Sequence, residues 1–166
     1  VERREKYAPD LVDGLYRRSM YTFWKRTCPP PGMTTFDAPD RETCLIRRAR
    51  TNTPLQALVL LNDPTYMEAS RKFAERVLGQ ATDDTTRLGR AFELAVSRAP
   101  DPEDTAVLLQ LLRSARKKFT ADGPAAEKLL AIGHSPRNAS IPAAELAAWT
   151  TVASVILNLD ETISKP

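Results

Sequence analysis

The sequence predicts an all-α fold, an irregular bundle of five or six helices with an ordered, proline-rich loop region at its N-terminal end. Three observations carry that expectation. From residue 53 onward apolar residues recur at spacings of three and four, the period of one helix face. Helix-start signals open nearly every one of these segments. No alternation of strand period competes with them after residue 53. At 166 residues and 42 % hydrophobic content, the chain is long enough for one domain with a real core and too short for two independent ones. The expected organisation is a single helical domain over 1–166, with a loop-rich polar motif region at 1–52 and the helical bundle at 53–166.

Residues 10–26 mix apolar and basic side chains, and helix is favoured there over extended chain. Pro29-Pro30-Pro31-Gly32 is stiff, polyproline-like backbone, so residues 27–40 are expected to run as an ordered, extended loop. Thr53-Pro54-Leu55-Gln56 places a hydroxyl at the N-cap, a proline where its missing N–H costs nothing, and a glutamine positioned to reach back, which is a capping box. The residues Ala57 to Leu61 that follow are apolar on every side, the pattern of a helix at the centre of a bundle. Asn62-Asp63-Pro64 stops that helix and caps another, carrying Tyr66, Ser70, Phe73, Ala74, Val77 and Leu78 on one face and ending at Gly79, a residue suited to the left-handed C-terminal position. A third helix begins near Asp83 and aligns Leu88, Ala91, Phe92 and Ala95. A fourth opens on the acidic turn Asp101-Pro102-Glu103-Asp104 and closes on Arg116, Lys117 and Lys118, charges placed as the helix dipole favours. A short helix over Ala125 to Ile132 ends at Gly133, His134 to Asn138 reads as loop, and a last helix after Ser140 carries Leu146, Trp149, Val152, Ala153 and Ile156.

The formal charge is only +3, unevenly placed: residues 1–60 hold 11 Lys/Arg against 7 Asp/Glu, and the remainder 13 against 14. That suits an anionic ligand or an acidic surface but falls far short of the basic stripe of a nucleic-acid binder. The aromatic and basic residues interleaved from Tyr16 to Arg26 read as packing with snorkelling cations rather than a base-stacking platform. No apolar stretch is long enough to cross a bilayer, and Val1 to Lys6 lacks the hydrophobic region of a signal peptide. The missing initiator Met marks the chain as an expected piece of a longer protein. Cys28 and Cys44 are compatible with a disulfide, with two ordinary buried thiols as the favoured alternative.

Polar density peaks between Thr34 and Pro64. Asp37, Asp40 and Glu42 stand beside Arg41, Arg47, Arg48 and Arg50, directly before the apolar segment. The candidate ligand-binding or interdomain residues are Asp37, Asp40, Arg41, Arg47, Arg50, Asn52 and Trp24. Three readings are open: a structural clasp in which Asp37 or Asp40 caps a short helix at Ala38-Pro39 and pairs with an arginine, a site for an anionic or carbohydrate ligand, or a carboxylate pair acting on a glycosidic bond. Neighbouring arginines would depress both carboxyl pKa values, which weakens the last. Haem attachment through Cys-x-x-Cys-His has no match, His134 is the sole histidine, and Met20, Met33 and Met67 read as packing residues. A zinc site lacks ligands too. No nucleophile elbow, His-Glu-x-x-His or glycine-rich phosphate loop is present.

Tyr16 to Thr27, Pro29-Pro30-Pro31, Thr35 to Glu42, Arg50 to Pro64 and the closing Leu157-Asn158-Leu159-Asp160-Glu161 together resemble the C-terminal domain of unknown function found in large exported multidomain proteins of planctomycetes. The resemblance covers nearly the whole chain and is most specific at residues 16–64. It implies upstream domains of the same parent chain as partners, often including a cytochrome-c-like domain, with an exported, periplasmic or cell-envelope location. It implies no cofactor in this fragment, and haem in another domain of the parent. It also implies that the N-terminal third of the family domain lies outside the chain. The expectation is therefore an interaction or scaffold module of such a protein, against the alternative of part of an enzyme acting on polysaccharide or a related polar substrate, with the charged cluster at 37–50 lining its site.

Overall fold

The computed structural model describes residues 12–25, 28–47, 49–80 and 83–164. Asp10, Leu11, Arg26, Thr27 and Arg48, which figured in the readings above, lie outside them. The fold is all-α, with eight α-helices and no strand among the described residues beyond one isolated bridge between Lys25 and Cys28. The chain divides into two compact units, Val1–Ala49 and Arg50–Pro166.

Among its described residues the first unit holds two 3-10 turns, Val12–Tyr16 and Ser19–Tyr21, and one short helix, α1 (Pro31–Thr35). Where one helix was favoured over 10–26, the described part is thus a pair of short turns separated by Arg17 and Arg18. The polyproline expectation also fails at its end. Pro31 occupies the first turn of α1, where proline's fixed φ is helix-compatible and its lost N–H would be unpaired anyway. No helix starts at Ala38, and Met20, expected to pack, is exposed.

The second unit is the bundle: α2 (Pro54–Asn62), α3 (Pro64–Leu78), α4 (Asp84–Val96), α5 (Pro102–Ala121), α6 (Gly123–Leu130), α7 (Ala143–Leu157) and the single turn α8 (Asp160–Ile163). The expected caps form. Thr53 accepts from the Gln56 N–H while Gln56 Oε1 accepts from the Thr53 N–H at 2.9 Å, Asp63 caps α3, Asp83 caps α4, and Asp101 with Asp104 forms a second capping box. Gly79, however, sits at φ −77°, in the right-handed region, and the left-handed residue that ends α4 is Ser97 at φ 67°.

The central helix is α7, not the segment Ala57 to Leu61. α7 packs against α3, α5, α6, α4, α2 and α8, with Leu146, Trp149, Val152 and Ile156 fully enclosed among Val77, Leu88, Phe92, Leu112 and Leu130. α2 rests on α3 and α7 by one side only. Its sole buried residue is Gln56, and Leu55, Leu58 and Leu61 are exposed by 56, 58 and 43 %. An all-apolar sequence therefore marks α2 as a helix with an uncovered apolar side.

Candidate functional site

Five of the seven sequence-derived candidates lie in the first unit. Trp24 is half-buried, and the Arg41 guanidinium lies over its ring, 4.9 Å from the centroid, a cation–π distance. Sixteen residues of chain separate the two, so spacing gave no hint of the stack. Asp37 (φ 55°) and Arg41 (φ 65°) are both left-handed, easy for the short polar side chain of aspartate and costlier for arginine. Asp40 accepts from the Glu42 N–H at 2.9 Å, an Asx turn that fixes the local loop. Asp40, Arg41 and Arg47 are exposed, Asp37 half-buried. Cys28 and Cys44 are free and exposed, against the expectation of buried thiols and without the disulfide.

The other two candidates open the second unit. Arg50 is exposed, and Asn52 donates from Nδ2 to Asp160 Oδ1 at 2.8 Å. That bond links the segment before α2 to the C-terminal turn.

Two polar networks escaped the sequence reading. The first lies on α3, whose residues Glu68, Arg71, Lys72 and Glu75 clamp the loop after α6. Buried Glu68 accepts from the His134 N–H at 2.5 Å, and buried Arg71 donates to the Leu130 carbonyl at 3.1 Å and the Ser135 carbonyl at 2.6 Å. Lys72 donates to the Pro136 carbonyl at 2.7 Å, and Glu75 accepts from the Asn138 N–H at 2.9 Å. Each carboxylate meets an N–H and each cation a C=O, so charge-assisted hydrogen bonds offset much of the desolvation of buried Glu68 and Arg71, although Arg71 Nε is buried without a partner. Gly133 is obligatory in this loop: its φ is +98°, and a Cβ there would stand 2.2 Å from Glu68 Oε2 and 2.7 Å from Glu68 Cβ. The available signal was the spacing of four charged residues at i, i+3, i+4 and i+7 on one helix, a continuous polar stripe beside the apolar one.

The second network centres on Arg116 of α5. It makes paired contacts with Asp84 at the start of α4 and with Glu145 in the first turn of α7, at 2.8 Å from Nη2 to Asp84 Oδ1 and 2.8 Å from Nε to Glu145 Oε2. Glu145 also accepts from the buried Trp149 indole N–H at 2.9 Å. The Arg116 hydrogen bond holds the Asp84 carboxyl below its ordinary value of 3.8 despite partial burial, and the two carboxylates raise the arginine further above its own. Three helices meet at one guanidinium, whose planar fork suits bidentate carboxylates.

Chemically, both networks are clamps: the first engages the backbone of the loop after α6, and the second joins charged side chains to one another. The uncovered feature of the second unit is α2, nine residues without a charge and with Leu55, Leu58 and Leu61 facing out. Among the described residues no group of three or more His, Cys, Asp or Glu could hold a metal ion, and no helix is long and apolar enough to cross a membrane.

Fold and site together define an all-α protein whose second unit is held by two polar clamps, one onto a loop and one joining three helices. The chain belongs to the family described as PSD1, Protein of unknown function (DUF1553), which matches residues 2–112. The matched stretch ends inside α5, so α6 and the central helix α7 lie beyond it. No curated protein and no solved structure matches the chain.

Proposed function

We propose that the chain is an interaction module of an exported, haem-associated multidomain protein, docking through the leucine face of α2 onto an upstream domain of the same parent chain. The observation that carries this reading is the exposure of Leu55, Leu58 and Leu61 along one uncharged helix. Covering them would remove apolar surface from water at about 25 cal/mol per Å². Membership of a family of unknown function is compatible with a scaffold role. The multidomain parent, the exported location and the haem in another domain rest on the resemblance of residues 16–64 and 157–161.

The rival reading is part of an enzyme acting on polysaccharide, or a module with a carbohydrate or anionic ligand, using Trp24 as a stacking platform beside the charged run. Arg41 already covers one face of that ring, which favours the interaction module. Hydrogen exchange on α2 tests the proposal. In the parent protein the amides of 55–61 should exchange more slowly than in the 166-residue chain, because a docked partner adds its binding energy to local opening. Equal exchange in the two contexts would refute docking through α2.

A further inference from the structure

Beyond the packing of Leu159 on the core, α8 is tied by acidic side chains at two places far apart in sequence. Asp160 Oδ1 accepts from Asn52 Nδ2 at 2.8 Å. Its neighbour Glu161 accepts from Arg98 twice, from Nε at 2.8 Å and from Nη2 at 2.7 Å. Arg98 is itself fixed: it donates to Asp104 at 3.2 Å and to the Ala99 carbonyl at 3.1 Å, and it lies over the Phe92 ring at 4.8 Å. Arg98 is thus an anchor held by α4 and α5, Glu161 seats α8 on it, and Asp160 is thereby aimed at Asn52. Asn52 lies in the extended segment Arg50–Thr53, where the second unit begins and which leads into the cap of α2. The side chains of Asn52, Arg98, Asp160 and Glu161 are all exposed, so the tie is weak and reversible.

We propose that α8 is a polar latch that seats Asn52, in the segment ahead of the α2 cap, on the helical unit through Asp160, with Glu161 and Arg98 as its anchor. Closed, the latch adds the Asn52 contact to the bonds that Thr51 and Thr53 make with buried Gln56; open, it leaves the segment on those shorter-range bonds, so that it lifts from the helical unit more often while the core stays folded. The proposal stands apart from what α2 binds, since its consequence is local release of the connecting segment. A latch made of exposed contacts has the right strength for this, because the open form then remains a small but accessible fraction of the population.

Limited trypsin digestion of the full chain tests it, following the rate of cutting after Arg47 and Arg50 against the rate after Arg113 and Lys117 within α5. When opening is fast, cutting tracks the open population. Asp160→Ala and Asn52→Asp should each speed cutting at 47–50 by about three- to tenfold at low salt while leaving the α5 sites unchanged. Glu103→Ala, an exposed acid outside the latch, should leave both rates as in the wild type. The exchange variant carrying Asn52→Asp with Asp160→Asn restores a donor and an acceptor in swapped places and should return the 47–50 rate to within about twofold of wild type. Unchanged cutting in the single variants, a parallel rise at the α5 sites, or failure of the exchange variant to restore protection would each overturn the latch.

Discussion

α2 and α7 look alike as sequences and do opposite things. Pro-Leu-Gln-Ala-Leu-Val-Leu-Leu-Asn carries no charge and Ala-Ala-Glu-Leu-Ala-Ala-Trp-Thr-Thr-Val-Ala-Ser-Val-Ile-Leu carries one. Yet α7 buries nine residues and α2 one. The difference lies in side-chain size. A helix surrounded on several sides must let its neighbours approach, and α7 supplies Ala147, Ala148, Ala153, Thr150 and Ser154 between its large residues, with the two hydroxyl-bearing positions buried as well. Thr150 avoids an unpaired hydroxyl by donating to the Leu146 carbonyl at 2.7 Å. α2 has leucines all round, so only one side can nest and the rest stand out. Small residues interleaved with large ones mark a central helix; unbroken leucine marks a helix with an uncovered face.

The largest expected effect breaks this comparison at its strong end. Leu146→Asp should abolish cooperative folding, because an unpaired carboxylate would enter a position with no solvent access. Circular dichroism and thermal melts check it, and a cooperative melt near the wild-type temperature would remove α7 from the centre. Next in size is Gly133→Ala, at about 2–4 kcal/mol, since the backbone there is left-handed and the new Cβ would overlap Glu68. Urea denaturation of Gly133→Ala alone and with Glu68→Ala separates part of the loss: the second change should relieve the overlap with the Glu68 carboxylate, but neither the backbone strain nor the contact with the Cβ that alanine keeps.

What could be read from the sequence was local. The Thr53–Gln56 capping box, the Asp63-Pro64 restart and the acidic turn at 101–104 each lie within four residues and depend on fixed backbone geometry, so residue types alone specify them. The clamps on the 132–138 loop join residues about sixty apart, and Arg116 reaches partners 32 and 29 residues away. Nothing local distinguishes these charges from an ordinary solvated face. The same holds for Arg41 on Trp24, a contact across loops, and for Asn52 on Asp160 of α8, 108 residues away, neither of which any periodicity records. Burial of Ala57 to Leu61 was misread because apolarity reports what a helix avoids in water, not how many neighbours it has.

The clamps sharpen the comparison at intermediate strength, since Arg116 fixes the first turn of α7 while α2 has no equivalent anchor on its leucine face. Arg116→Ala should cost about 1–3 kcal/mol, less than a fully buried pair because the three side chains keep partial solvent access. The acid side follows from Asp84. Its folded pKa is held below the ordinary 3.8 by the hydrogen bond from Arg116, so its contribution is present above that value and is lost as pH falls through the lowered one. Stability should therefore decline as pH falls below the ordinary carboxyl value of 3.8, and Asp84→Asn should be less stable at pH 7 with a shallower acid decline. A variant whose acid limb parallels the wild type would show that other carboxylates set it.

The smallest expected effect on stability carries the most information about function. Leu58→Asp should change the unfolding free energy by less than about 0.5 kcal/mol, since the leucine is 58 % exposed and its replacement can remain hydrated. A solvated carboxylate there should still disrupt any apolar contact the helix makes, because docking would strip its water without giving it a partner. In the parent protein, then, Leu58→Asp should leave the melt of the helical unit in place while speeding hydrogen exchange over 55–61 to the rate seen in the 166-residue chain. A large loss of stability in the chain itself would mean that α2 is covered within this domain and resembles α7 after all. Unchanged stability together with unchanged exchange in the parent would leave α2 as surface that nothing occupies, and the leucine face would lose its place as the docking element.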